Sequence, residues 1–129
     1  MPKQIYFWLA LIWTFVIAFL CLASFGNMPK VSLPGADKYV HFTFHFVFTW
    51  LWLSFLSYKN KKRSDVKTIL TVFFLSVFYG IVIEILQGLL TTTRKEDIFD
   101  VFANMAGATA AVISILLYQK YIQKEKFYN

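Results

Sequence analysis

The chain has little of what a water-soluble enzyme uses. Charged residues make up only 16% of its 129 residues, against 58% hydrophobic ones. An ordinary globule with that balance would not stay in solution. Cys21 is the only cysteine, so no intramolecular disulfide can form, and within an apolar run it reads as a small packing residue. Leu20 stands where the residue before a lipidated cysteine should be small, which argues against a lipoprotein. No Ser or Cys occupies a recognisable nucleophile motif, no Gly-rich loop could cradle a phosphate, and no HExxH framework exists. Hydrolysis through a covalent intermediate is unsupported, and neither cofactor nor metal is expected.

What is present is apolar length. Four runs, at about 5–25, 37–57, 66–90 and 97–119, account for the composition. A helix rising 1.5 Å per residue needs about 20 residues to cross ~30 Å of hydrocarbon, and each run is long enough. The sequence therefore predicts an all-α integral membrane four-helix bundle, one domain over 1–129. The first run could pass for a signal peptide, but Lys3 alone is a minimal basic flank and its apolar length exceeds the usual ~7–15 residues. It reads as a retained helix. Gly26, Pro29, Pro34 and Gly35 break the chain before the second run, which Asp37 opens as an N-cap or first-turn carboxylate. The polar tail 119–129 reads as a fraying end.

The formal net charge is +6, which in a soluble protein would suggest nucleic acid. Its distribution points elsewhere. Lys3, then Lys59, Lys61, Lys62, Arg63 and Lys67, then Lys120, Lys124 and Lys126 fall on one side of the four-run topology, nine of the 13 basic residues. That side is the cytoplasm by the positive-inside rule, which places both termini there. Contact with anionic lipid is the expected use of the charge, not nucleic acid.

Against this apolar background, a few polar residues stand out. Each ionisable group at a membrane helix centre costs about 2.5–3.5 kcal/mol on insertion scales, so such groups face a bundle interior and often mark function. Asp37, His41 and His45 lie at i, i+4 and i+8 on one stripe of the second run. Gly80, Glu84, Gln87 and Gly88 share a face of the third, and Asp97, Asp100 and Asn104 share one of the fourth. The predicted topology puts His41, Glu84 and Asn104 roughly 6–10 Å from the outer helix ends, at one depth. Below them Ala103, Gly107 and Ala111 repeat every four residues, a small-xxx-small packing pattern.

The motifs DKYVHF (Asp37, Lys38, His41, Phe42), EILQ (Glu84, Gln87) and R-x5-D-x3-N-x2-G (Arg94, Asp100, Asn104, Gly107) occur in that order over about residues 37–112. In this they resemble the VanZ-like family, apart from a TTT turn before Arg94 where members often have a Pro-Gly type turn. The resemblance implies a small multipass protein of the bacterial cytoplasmic membrane. The family's namesake is associated with low-level resistance to the glycopeptide antibiotic teicoplanin.

The roles these residues suggest are as follows. His41 and Glu84 would do acid–base or hydrogen-bond work, and Arg94 would hold an anion with its planar guanidinium. Asp37, Lys38, Gln87, Asp100 and Asn104 would shape an outward-facing pocket for a lipid-linked head group or a glycopeptide at the outer leaflet. Glu84 could instead pair with Arg94 or be kept neutral by burial, and Asp100 with Asn104 could be an interhelical clamp. In that second reading the chain is a structural or partner-binding membrane protein whose polar residues lock the helices. A metal on the Asp37–His41–His45 stripe, completed by Glu84 or Asp100, is the less favoured use of those histidines. Proton conduction is disfavoured, because the inner halves of the runs carry no charge and offer no relay.

Overall fold

The computed structural model describes residues 2–23, 35–58, 64–92 and 95–128. They form four helices: α1 (Lys3–Leu22), α2 (Ala36–Leu56), α3 (Val66–Leu90) and α4 (Ile98–Tyr128). All four are long and apolar enough to cross a membrane. The bounds of α3 are those the sequence predicts. The other three differ at their ends, where capping decides and hydropathy does not. α2 starts after Gly35, whose φ of 75° lies in the left-handed region that glycine enters without strain. Asp37 thus sits in the first turn and caps nothing. Asp65 caps α3, its carboxylate accepting the Thr68 N–H at 2.8 Å. α4 continues through the polar tail to Tyr128, so residues 119–128 do not fray. The loop of glycines and prolines before α2 lies, except for Gly35, outside the described residues.

The chain runs up, down, up, down. Trp52 of α2 reaches Thr14 of α1 (3.2 Å), and the Tyr79 hydroxyl of α3 donates to the Thr14 carbonyl at 2.5 Å. The Trp13 indole donates to the Phe44 carbonyl at 2.9 Å. These bonds tie α1 to α2 and α3. On the far side α4 packs along α2, the most extensive helix contact among the described residues, and also along α3; the α1 and α4 backbones do not approach each other closely. Gly107 is what brings α4 so close, since a Cβ there would overlap the Phe42 carbonyl of α2. The small-xxx-small pattern is thus used against a backbone.

Burial is inverted relative to a soluble protein. Phe15, Phe19, Phe74, Phe78, Leu89 and Phe99 are each more than 60% exposed. His41, His45, Thr49, Ser76, Glu84, Gln87, Asp100 and Asn104 are buried. Among the described residues, the larger buried apolar side chains form two clusters, Ile17–Cys21–Phe44–Phe48–Ile83 and Leu53–Val72–Ile115. At the basic end of the bundle a polar knot joins three elements: the Ser64 hydroxyl donates to Ser57 Oγ (2.7 Å) and accepts from Gln119 Nε2 (3.0 Å).

Candidate functional site

The opposite end of the bundle carries the candidate site. Lys38, in the first turn of α2, reaches the connection before α4 and its first turn. Its Nζ lies 2.8 Å from Asp37 Oδ2, 2.5 Å from Asp97 Oδ2 and 2.7 Å from Asp100 Oδ1. One ammonium is shared by three carboxylates. The hydrogen bond from Lys38 holds the Asp97 carboxyl below its usual 3.8, helped by the Phe99 N–H that the same carboxylate accepts.

One turn further along α2, His41 is buried between α3 and α4. Its Nδ1 lies 3.2 Å from Asn104 Oδ1 and 3.7 Å from Glu84 Oε1, and its Nε2 lies 3.4 Å from Asp100 Oδ2. An amide oxygen only accepts, so the Asn104 contact is a hydrogen bond when Nδ1 carries the proton. Nε2 then faces Asp100. Asn104 comes this close to α3 because Gly80 has no side chain; a Cβ there would press on its amide.

Glu84 is anchored by one oxygen. Its Oε2 accepts the Asp97 backbone N–H at 3.1 Å, which pins the connection after α3 to the buried carboxylate. Its Oε1 is buried and has no hydrogen-bond partner among the described residues. That is an uncommon state for a buried acceptor, which ordinarily costs about 1–3 kcal/mol.

Of the residues singled out in the sequence, Asp37, Lys38, His41, Glu84, Asp100 and Asn104 are brought together here. Gln87 is not. Its Nε2 donates to the Cys21 carbonyl at 2.9 Å, a buried tie between α3 and α1. His45 leaves the stripe as well, bonding Ser76 at 2.8 Å deeper in the bundle. Arg94 lies outside the described residues. Asp97 is the residue the sequence reading undervalued: its side chain takes Lys38 and its N–H takes Glu84. Its place immediately before α4, next to Glu96, was the available signal.

Comparison with known proteins corrects the assignment made from the motifs. No family model matches the chain. Over 108 residues, 82% of this chain, it is 33% identical to an uncharacterized protein of the fission yeast Schizosaccharomyces pombe. The chain spans 62% of that relative's length. No solved structure matches. A eukaryotic relative and the lack of a family match overturn the VanZ-like reading, and with it the support for a bacterial membrane and for antibiotic resistance. The physical reason is plain: a His, a carboxylate, an Asn and small residues at helical spacing are what any polar site inside a membrane bundle needs, so the motifs are less specific than their order suggests.

Proposed function

We propose that the chain is a multipass membrane protein, with both termini cytosolic, whose polar cluster binds or acts on the head group of a membrane lipid at the opposite leaflet. The observation that carries this reading is the convergence of α2, α3 and α4 on one buried polar cluster at the end away from the basic segments. In helices with this much exposed aromatic surface, burying His41, Glu84, Asp100 and Asn104 together is costly, and such groups often mark function. His41 and Glu84 do the hydrogen-bond or acid–base work, since each keeps an atom that no neighbour satisfies well. Asp37, Lys38, Asp100 and Asn104 fix their positions. Arg94, three residues before Asp97 in the sequence, supplies a cation for an anionic group of the ligand. Gln87 ties α3, the helix that carries Glu84, to α1 through the Cys21 carbonyl.

The test is native mass spectrometry of the full chain released from nanodiscs of mixed phospholipids, wild type beside His41→Ala. Selective retention of one head-group class by the wild type, lost in the variant, is the expected result. Equal retention of bulk phospholipid by both would remove the reading. A second reading, helix locking, draws on the bonds Gln87–Cys21, His45–Ser76 and His41–Asn104, each of which joins two helices. It accounts for those pairs. It does not account for Glu84 Oε1, because a lock has no use for an unpartnered carboxylate oxygen.

A further inference from the structure

We propose that His41, Glu84 and Asp100 form a binding site for one divalent transition-metal ion of the zinc or manganese class. One donor atom from each of the three lies within 4.8 Å of the other two, and all three residues are buried.

The pattern of what is held and what is left over is the argument. Each residue has one polar atom fixed by a neighbour. His41 Nδ1 is on Asn104 Oδ1, Asp100 Oδ1 is on the Lys38 ammonium, and Glu84 Oε2 is on the Asp97 N–H. A second oxygen of each carboxylate lies against the imidazole: Asp100 Oδ2 is 3.4 Å from His41 Nε2, and Glu84 Oε1 is 3.7 Å from His41 Nδ1. Of these, Glu84 Oε1 belongs to a side chain only 5% exposed and has no hydrogen-bond partner among the described residues. With the proton on Nδ1, His41 Nε2 presents a lone pair to Asp100 Oδ2 at 3.4 Å. Two acceptors at that distance repel unless a proton or a metal ion lies between them. Ligands bonded to zinc at about 2.1 Å in a tetrahedron are about 3.4 Å apart.

The held atoms have the form of the outer shell that metal sites use. A ligating histidine commonly gives its other N–H to a carbonyl or carboxylate, which fixes the tautomer, and ligating carboxylates are themselves hydrogen-bonded. Asn104 and Asp97 supply hydrogen bonds of this kind, and Lys38 supplies an ion pair to Asp100 Oδ1 at 2.7 Å. Charge points the same way. Asp37, Asp97, Asp100 and Glu84 are four carboxylates, and the cation paired with them among the described residues is Lys38, which leaves a deficit of three beside a neutral His41. A divalent ion offsets most of that difference.

The neighbouring trio Asp37, Asp97 and Asp100 also has ligand spacing. Lys38 Nζ, within 2.8 Å of all three, already serves as its cation. One imidazole with two carboxylates is a mixed donor set, suited to zinc or manganese and less to the all-oxygen preference of calcium or magnesium.

The test uses the full chain purified in detergent without a histidine tag, with Zn²⁺ and Mn²⁺ alone as probes. Elemental analysis and titration calorimetry should give about one ion per chain. Affinity should fall at least ~10-fold in Glu84→Gln and in Asp100→Asn. It should be unchanged in His45→Gln, whose histidine sits on Ser76 outside the cluster. No stoichiometric ion in the wild type, or an ion bound equally by Glu84→Gln, would overturn the site. If the variants do not fold, X-ray absorption on the zinc-loaded wild type decides: a nitrogen/oxygen shell containing one imidazole supports it, and a shell without imidazole refutes it. The site does not depend on the head-group reading, because lipid retention and metal content are measured separately.

Discussion

Replacing Gly107 by alanine adds one methyl group at the point where α4 meets the α2 backbone. The added Cβ would overlap the Phe42 carbonyl oxygen and its carbon, and a backbone atom cannot swing aside as a side-chain tip can. Two effects oppose each other. Alanine favours a helix over glycine by about 1 kcal/mol, which on its own would stabilise α4. Overpacking costs about 1–3 kcal/mol and more where the backbone must move. The clash should win, giving a net loss of about 1–2 kcal/mol and a melting temperature lower by roughly 3–8 °C. Phe42 follows His41, so parting the helices also lengthens the His41–Asn104 contact. The assay is thermal unfolding in detergent followed by circular dichroism, with Thr109→Ala as control. Thr109 is exposed and bonds only within its own helix, so the control should stay within about 0.5 kcal/mol of wild type. A Gly107→Ala protein as stable as wild type would refute the close α2–α4 approach on which the site's geometry rests.

Other consequences follow from single contacts. Gln87→Leu keeps the volume but removes the donor to the Cys21 carbonyl, so it should cost about 1 kcal/mol in the same assay. The Asp97 carboxyl is held below 3.8 in the fold, chiefly by the Lys38 hydrogen bond. A depressed carboxylate stabilises above its unfolded value and loses that contribution as pH falls through its folded one. The stability advantage of wild type over Lys38→Met should therefore be full near neutral pH and shrink below 3.8; an advantage that grows on acidification would contradict the pairing. For the topology, a cysteine introduced at Lys61 in a Cys21→Ser background should react with impermeant maleimide only from the cytosolic face. Labelling from the other face would invert the bundle and move the site to the cytosol.

How much of this was legible in the sequence depended on the kind of signal. Helix number and the polar stripes were readable, because an ionisable residue in a 20-residue apolar run is expensive and few placements satisfy it. The grouping of His41, Glu84 and Asn104 followed from counting depth along each run. Cross-helix partners were not readable. The i, i+4, i+8 stripe treats His41 and His45 alike, yet Gly80 admits Asn104 beside one while Ser76 takes the other. Gln87 shares a helix face with Glu84 but points its amide at α1. The length of α4 was misjudged because polarity was read as a helix end. Residues 119–128 contain no glycine or proline, and the Tyr121 hydroxyl bonds Glu125 one turn on at 2.7 Å, so the helix persists. Lys38 was named, but the cationic role went to Arg94. A flexible lysine that gathers carboxylates from another helix leaves no periodic trace.

The central claim is that the buried cluster is a ligand site and not a helix lock, and the stability of Glu84→Gln tests it most directly. Glutamine preserves the shape and can still accept the Asp97 N–H, while it removes the negative charge on the oxygen that lacks a partner. Measured by unfolding in detergent with a chelator present, a ligand site predicts a variant as stable as wild type or more so, because a buried charge has been relieved. A lock built on a His41–Glu84 ion pair predicts a loss of about 3–5 kcal/mol, the cost of breaking a buried pair. That loss would contradict the account.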